Sequence, residues 1–131
     1  MSFAADLARF PSATSVTVNS EGGAATTNLQ QGLAKAWERH NASHSIDSSL
    51  SVSSITDNGT GDTTVTYASA LSTATQAISG SSGNNASNDS ILGNAAVAAH
   101  TTTTHRYLIM NASGVAQDRA FNSTLIHGDL A

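Results

Sequence analysis

A predicted β-hairpin is the feature that most constrains how this chain folds. Residues 56–62 read Thr-Asp-Asn-Gly-Thr-Gly-Asp, and they separate the strand-like residues 46–55 from the β-rich residues 63–67. Asn followed by Gly between two such segments is a strong hairpin signal, because both residues tolerate the positive φ that a tight reverse turn requires. The sequence therefore predicts two antiparallel strands joined by a turn at Asn58 and Gly59.

The residues around this turn have predicted structural roles. Gly61 is a second position without a Cβ atom, and the carboxylates of Asp57 and Asp62 are suited to cap exposed turn amides. The flanking strands are expected to supply side chains to the core. The predicted core and hairpin residues are Trp37, Ile55, Asp57, Asn58, Gly59, Gly61, Asp62, Val65 and Tyr67.

A further strand is predicted at residues 33–40, which contain the only tryptophan of the chain. Successive side chains of a strand point to opposite faces, so Leu33 and Trp37 fall on the same face. A tryptophan in an alternating strand is more often buried than exposed. We therefore expect this strand to deliver Trp37 to the core.

Short β-rich segments continue through the second half of the chain. Residues 79–90 are almost wholly Gly, Ser, Asn and Asp and predict a surface loop, whereas residues 95–99 fit either a strand of small residues or an Ala-rich helical turn. Residues 101–110 and 120–127 predict strands, with a turn at residues 111–114 between them. Together these segments predict a mainly β fold, a small antiparallel β-sandwich of the jelly-roll-like kind.

The beginning of the chain has a different pattern. Phe3, Leu7 and Phe10 repeat at helical spacing before a proline, which predicts a short helical or irregular apolar segment. Residues 14–19 alternate in polarity and fit a short edge strand or an extended clamp. We expect the apolar side chains of this segment to bind a partner, and they are Phe3, Leu7, Phe10, Val16 and Val18.

The domain organisation follows from this contrast. Small polar residues without clear periodicity precede Gly32, and the first core strand begins after it. We predict an extended N-terminal attachment arm at residues 1–32 and a β-sandwich domain at residues 33–131.

Composition argues against several functional classes. Charged residues make up 11% of the chain, the formal net charge is −4, and Lys and Arg do not cluster, so nucleic acid is not an expected partner. Cysteine is absent, which rules out disulfides and thiolate chemistry. The sequence has neither a long apolar run nor a signal-peptide pattern, so we expect a soluble protein that is made in the cytoplasm and does not contact a membrane.

Two histidine pairs raise the possibility of a metal site. His40 and His44 are four residues apart, and His100 and His105 flank a threonine run. An i, i+4 pair can share a metal ion on a helix, but the context here is strand or loop and no carboxylate completes a motif. We prefer to interpret them as ordinary polar or interface histidines. If three copies of the chain met around a symmetry axis, one histidine from each copy could still form a three-histidine site. No metal and no cofactor is predicted.

Other candidate sites also have a simpler structural interpretation. Asp57 and Asp62 lack the carboxylate spacing of a calcium loop, so turn capping is preferred. Ser, His and Asp are abundant, but no Gly-x-Ser-x-Gly elbow is present, and no catalysis is expected. Trp37, Tyr67 and Tyr107 would suit a sugar-stacking platform, yet a core position is the preferred interpretation for Trp37.

Two sequence segments together resemble a known family. Residues 32–37 read Gly-Leu-Ala-Lys-Ala-Trp, residues 52–62 read Val-Ser-Ser-Ile-Thr-Asp-Asn-Gly-Thr-Gly-Asp, and Thr-Val-Thr follows at residues 64–66. They resemble a β-module of bacteriophage virion proteins, including head-decoration and tail-fibre proteins, in which a Lys-Ala-Trp strand precedes such a hairpin. The resemblance implies a small β-sandwich that forms trimers, binds and holds other proteins, and has no catalytic centre.

The chain departs from that family pattern at several positions. Thr63 stands where the family has an aromatic residue, and Glu38 and Arg39 stand where it favours apolar or aromatic residues. Beyond Leu71, residues 72–76 do not reproduce the family pattern. The resemblance therefore concerns mainly residues 32–67.

These features predict a non-enzymatic structural protein of the virion. The first expectation is a homotrimeric capsid cement or decoration protein on the outer surface of the head, whose arm binds the major capsid protein. The alternative is a tail-fibre or receptor-binding module that contacts tail proteins and a host glycan. A glycan-processing enzyme is the weakest possibility, because paired, positioned acids are missing from the sequence pattern.

Overall fold

The structure is a computed structural model that describes residues 17–19, 26–28, 33–83, 90–94 and 100–130. The chain divides into two compact units, which are Met1–Leu33 and Ala34–Ala131. The predicted boundary between the arm and the β domain lies beside this division.

The first unit contains a small antiparallel hairpin. Strand β1 (Thr17–Asn19) pairs with strand β2 (Thr26–Asn28). The strand predicted at residues 14–19 is confirmed over β1, whereas β2 was not predicted, because its polar residues lack alternation. Val18 lies in β1; the other predicted arm residues, and with them the predicted helical segment, lie outside the described residues: Phe3, Leu7, Phe10 and Val16.

The second unit is built from β-strands, and no helix occurs in the residues that the structure describes. Two four-stranded antiparallel sheets have the strand orders β4-β3-β10-β7 and β5-β6-β9-β8. The strands are β3 (Ala36–Asn41), β4 (Ile46–Leu50), β5 (Val52–Gly59), β6 (Asp62–Tyr67), β7 (Leu71–Gly83), β8 (Ser90–Asn94), β9 (Thr104–Asn111) and β10 (Phe121–Leu130). The prediction of a mainly β, antiparallel fold is confirmed.

Apolar side chains from both sheets meet in the interior of this unit. Ala36 and Ile126 of one sheet pack with Tyr67 of the other, next to Leu71 at the start of β7. A second cluster lies on the other sheet alone and consists of Val65, Tyr107 and Ile109. Every second residue of β6 and β9 is buried, which is the period-2 pattern of a strand with one face in a core.

The strand order differs from that of a jelly roll. Sequential strands pair as hairpins at β3–β4, β5–β6 and β8–β9, whereas a jelly roll is wound from two Greek keys, in which consecutive strands mostly lie in opposite sheets. More of the strands that follow each other in sequence therefore pair within one sheet here than in the jelly-roll-like fold that was predicted.

The predicted hairpin is confirmed, but its turn lies two residues later than predicted. Strand β5 pairs with β6 up to Gly59 opposite Asp62, so Thr60 and Gly61 form the connection. Asn58 remains in β5, and a register shift between Asp57 and Gly59 brings Gly59 to φ 131°. Gly61 has φ 68°, a left-handed conformation that glycine adopts without a steric cost.

The loop predicted at residues 79–90 is wrong at both of its ends. Residues 79–83 form the end of the 13-residue strand β7, which pairs with β10, and Ser90 begins β8. Residues 84–89 lie outside the described part of the chain. Small hydroxyl residues can extend a strand when a neighbouring strand supplies hydrogen-bond partners. The turn at residues 111–114 and the strands on either side of it are confirmed, and Gly114 has φ 78°. Residues 95–99 lie outside the described part of the chain.

Candidate interaction surface

Strand β3 buries the opposite face from the one predicted. Ala36, Glu38 and His40 are the buried residues, while Trp37 is half-buried on the outer face of its sheet. The prediction that Trp37 enters the core is wrong. Alternation separates the two faces of a strand, but it does not determine which face is covered by the second sheet.

Trp37 belongs to a row of large apolar side chains that crosses three strands. In the register of the sheet, Leu50 of β4 lies opposite Trp37, and Trp37 lies opposite Leu125 of β10. Leu50 is 48% exposed and Leu125 is 37% exposed. We call Leu50, Trp37 and Leu125 the apolar row. The outer face of an antiparallel sheet is usually polar, so this row is a candidate contact surface.

An open groove lies beside the apolar row. Its volume is about 490 Å³, and the residues that line it include Trp37, Leu125, Ser79, Ser81 and Ser123. The hydroxyls of Ser81 and Ser123 are 3.0 Å apart and hydrogen-bond to each other across β7 and β10. The groove thus joins an aromatic and an aliphatic wall to a floor of small hydroxyl residues.

A cation lies at one end of the groove. The Arg39 guanidinium is 5.4 Å from the centre of the Phe121 ring, and its Nε atom is 3.5 Å from Oδ2 of Asp47. The Phe121 ring covers Gly83, where an added Cβ atom would lie 2.4 Å from the ring. The charge of Arg39 is therefore balanced within the chain, and Gly83 is required by close packing.

The inner face of the same sheet carries polar residues that link the two sheets. The Nδ1 atom of His40 lies 2.8 Å from the carbonyl oxygen of Asn41 and donates to it, which leaves Nε2 as an acceptor. The Tyr107 hydroxyl of β9 donates to that Nε2 atom. Burial lowers the pKa of His40, which favours this neutral form.

A second chain of hydrogen bonds begins at Gln76. Its Nε2 atom donates to the carbonyl oxygens of Thr101 and Thr104, at 3.1 and 3.3 Å, so its Oε1 atom accepts from the Tyr67 hydroxyl. The Tyr67 oxygen is also 3.0 Å from Nδ1 of His105. Because the Tyr67 proton is already used, Nδ1 of His105 must be the donor in this contact.

The network extends to Glu38. Nε2 of His105 lies 3.1 Å from the Thr124 hydroxyl, which donates to Oε1 of Glu38 at 2.8 Å. Thr124 therefore connects Glu38 of β3 to His105 of β9 in the opposite sheet.

Burial between the sheets shifts the pKa values of Glu38 and His105 toward their neutral forms. Burial raises the pKa of Glu38 from 4.5 to about 7, against the smaller opposing effect of its hydrogen bonds with Thr124. Burial also lowers the pKa of His105 from 6.5 to about 4. Both groups are desolvated between the sheets, where the charged form is disfavoured. The interior is thus held together by uncharged forms of three titratable residues, Glu38, His40 and His105.

The hairpin residues are occupied by bonds within the chain. Asp57 Oδ1 accepts from the Gly59 amide at 2.8 Å, which confirms its predicted capping role. Asn58 donates to the Thr64 hydroxyl at 2.8 Å. Asp62 was predicted to cap a turn amide, but its carboxylate instead pairs with Arg106 of β9, which lowers the pKa of Asp62. The Gly61 amide donates instead to Asp118 at 2.7 Å.

The other predicted core residues lie on the inner face of the second sheet. Val65 and Tyr67 are buried, whereas Ile55 is partly buried against the cluster formed by Val65, Tyr107 and Ile109. The three aromatic residues suggested as a sugar platform do not lie together. Tyr67 and Tyr107 are buried between the sheets, whereas Trp37 is on the outer face of its sheet.

The histidine pairs do not form a metal centre. The rings of His40 and His44 stack with centroids 5.1 Å apart, and His44 contacts Thr63 at 3.0 Å and Asp57 at 3.6 Å. Over residues 33–83, 90–94 and 100–130, no three His, Cys, Asp or Glu side chains are grouped to hold a metal ion.

The sequence reasoning missed the buried roles of His40, His105 and Glu38. A signal was present in β9, where His105 alternates with the apolar positions Tyr107 and Ile109. The period-2 pattern therefore placed His105 on the buried face, although its residue type suggested a surface position.

Comparison with known proteins found no matching family model, no matching curated protein and no matching solved structure. None of the described residues forms a helix long and apolar enough to cross a membrane. The described residues form a mainly β protein with two four-stranded antiparallel sheets, and the outer face of one of these sheets carries the apolar row.

Proposed function

We propose that this protein is a non-enzymatic structural component of a bacteriophage particle, a cement or decoration protein on the outside of the head. In this proposal the chain forms a homotrimer of β-sandwich domains. The arm at residues 1–32 binds the major capsid protein, and the assembled trimer stabilises the shell. The proposal begins from the resemblance of residues 32–67 to a virion β-module.

The observation that supports the proposal is that the polar residues of the motif form their hydrogen bonds within the chain. Asp57, Asn58 and Asp62, the polar residues of the motif, bond within the chain and fix the hairpin to itself and to β9. These bonds support a structural role for the motif residues. Strand β3 of the other sheet presents Trp37 on an open face, as expected for a module that acts by contact.

Removal of the arm tests this proposal. Full-length protein and a variant that lacks residues 1–30 would each be produced during infection, and particles would be purified. We expect the full-length protein to remain with the heads and the truncated protein to be absent from them. Far-ultraviolet circular dichroism of the truncated protein controls for loss of the β fold. Equal incorporation of a folded truncated protein would contradict the role of the arm.

A second candidate function is recognition of a host glycan by a tail-fibre module. The specific observation is the groove of about 490 Å³, where the half-buried Trp37 lies beside the serine hydroxyls. Aromatic faces stack on the apolar faces of sugars, and hydroxyls supply hydrogen bonds. This alternative predicts saturable binding of a host-surface oligosaccharide that is lost in Trp37→Ala, which a cement protein would not show.

A further inference from the structure

The interior of the second unit is poor in apolar side chains. Seven described hydrophobic residues are buried, of which two are tyrosines and one is Ala36, while eight described polar or charged residues are also buried. Burial of apolar surface is the main stabilising contribution in a small domain, and buried polar groups add little net stability. A unit of this kind gains much from covering further apolar surface by association.

The apolar row is the exposed surface that such association would cover. Leu50, Trp37 and Leu125 are adjacent in the register of three hydrogen-bonded strands, so they form one continuous strip. Aromatic and aliphatic side chains in such a strip are typical of the centre of a protein interface.

This face carries an exposed apolar side chain at one end and a groove at the other. Leu50 lies at the β4 side of the strip with 48% of its surface exposed, while the groove of about 490 Å³ opens between Trp37 and the serines of β7 and β10. Because the two features lie at different ends of the strip, they suit a head-to-tail contact in which Leu50 of one copy enters the groove of the next. Contacts of this kind close into rings such as trimers when the rotation between copies permits.

Charge also favours a second copy over a charged partner. The charged pair at this face is Arg39 with Asp47, and the two side chains neutralise each other at 3.5 Å. Like charges that face each other in an interface oppose association. Because Arg39 and Asp47 neutralise each other, this pair does not oppose contact with a second copy.

We propose that the outer face of the β4-β3-β10-β7 sheet binds a second copy of this chain through the apolar row. This inference rests on the proposed function, because it assigns the contact between copies that a homotrimeric cement protein requires. Trp37 lies at the centre of the contact, flanked by Leu50 and Leu125, and the groove receives an apolar side chain of the neighbouring copy.

Sedimentation of single-site variants tests this proposal with the full-length chain. Leu125→Lys places a cation beside Trp37 at the groove end of the strip, and the aliphatic part of the lysine side chain can still pack against the sheet. We expect the wild-type protein to sediment as an oligomer and the variant to dissociate toward the 13.3 kDa chain. The dissociation constant of the variant should rise by about tenfold or more, because a few buried anchor residues dominate interface energy.

Val115→Lys is the matched control. Val115 is 57% exposed in the turn after β9, away from the apolar row, so this variant should sediment as the wild type does. Leu50→Lys on the edge strand β4 is a second test position that does not lie in the middle of the sheet, and it should dissociate as Leu125→Lys does. Circular dichroism verifies that each variant is folded.

The single tryptophan supplies an independent readout. On dilution of the wild-type protein, the Trp37 emission should shift to longer wavelength as the contact opens, and in folded Leu125→Lys it should be shifted at all concentrations. A wild-type protein that stays monomeric at every concentration overturns the proposal. So does an unchanged oligomer in both lysine variants, which would show that the contact lies elsewhere.

These outcomes are separate from those that test the proposed function. If the protein is absent from phage heads but dissociates in Leu125→Lys, the cement function fails and the self-association surface stands. If the wild-type protein occupies the heads but both lysine variants keep their oligomeric state, the surface assignment alone fails. An oligosaccharide that shifts Trp37 emission in a monomeric wild-type protein would identify a sugar as the occupant instead.

Discussion

Glu38 and Thr124 are joined by a hydrogen bond of 2.8 Å in the interior, where a carboxyl group of β3 meets a hydroxyl of β10. Thr124 is also the link to His105 of the opposite sheet. Burial raises the pKa of Glu38 from 4.5 to about 7, although the Thr124 hydroxyl donates to this carboxyl group. Ionisation of Glu38 inside the unit is therefore expected to lower the stability of the fold.

Glu38→Gln tests this dependence. The Glu38 pKa is 4.5 in the unfolded reference and about 7 in the fold, so the stability that the protonated acid contributes is complete below pH 4.5 and lost as the pH rises through 7. The glutamine oxygen can still accept from the Thr124 hydroxyl, and glutamine does not titrate. We expect the variant to be more stable than wild type at pH 8, by up to about 3 kcal/mol, and to lose this advantage at pH 4. Urea unfolding at both pH values measures the difference.

Asp47→Asn is the control for this experiment, because it removes one negative charge from the exposed strand β4. Its ion pair with Arg39 is exposed, and such pairs contribute little to stability. A stabilisation at pH 8 that is equal in both variants would indicate a general charge effect. A pH-independent difference between wild type and Glu38→Gln would contradict the protonated state of Glu38.

The acid side of the stability profile should be controlled by His105. Its pKa falls from 6.5 to about 4 on folding, so the neutral ring stabilises the fold above pH 6.5, and this contribution is lost as the pH falls through 4. We expect His105→Gln to be less stable than wild type at pH 7 but to lose less stability down to pH 4, by roughly 3 kcal/mol at most. Parallel unfolding profiles for the two proteins between pH 7 and 4 would contradict this assignment.

Tyr107→Phe should destabilise the unit by about 1–3 kcal/mol, because it leaves the buried Nε2 atom of His40 without its donor. Removing both polar partners is less costly than removing one. We therefore expect the double variant Tyr107→Phe with His40→Phe to be less destabilised than the sum of the two single variants. Additive losses in a double-mutant cycle of urea unfolding would show that the two residues do not interact.

Gly61→Ala should be among the most damaging single substitutions. A Cβ atom at this position would lie 2.5 Å from the Ile109 carbonyl oxygen and 2.7 Å from the Gln117 nitrogen, both of which are backbone atoms. The backbone would have to move, at a cost of about 3 kcal/mol or more. Gly114→Ala is the matched control, because Gly114 also has a positive φ but no atom within 4 Å of the added Cβ.

Gly114→Ala should lose only about 1–2 kcal/mol, which is the cost of a left-handed conformation alone. Equal unfolding midpoints in urea for the two alanine variants would show that the close approach at Gly61 is not tight.

Strands β5, β6, β9 and β10 were predictable because β-branched and aromatic residues recur along them, whereas β2, β7 and β8 were not predicted. The hairpin of β5 and β6 and the closing strand β10 follow directly from that pattern. The turn position was not predictable, because Gly59 and Gly61 both permit a positive φ. The choice is made by tertiary contacts, since the Gly61 amide bonds Asp118 and its carbonyl accepts from Ile109.

The sequence predicted which residues of β3 share a face, but it did not predict which face is exposed. Alternation placed Trp37 opposite His40 and Glu38, but hydrophobicity alone assigned the wrong face to the interior. His40 and Glu38 are buried because Tyr107 and Thr124 provide hydrogen bonds for them, and these partners are 67 and 86 residues away in sequence. Such long-range pairing leaves no local signal in β3 itself.

The central claim, that this protein is a component of the phage head, is tested most directly by imaging intact particles and measuring its copy number and position. We predict many copies in a regular lattice on the outer surface of the head. A few copies at the tail, or none in the particle, would contradict a cement function.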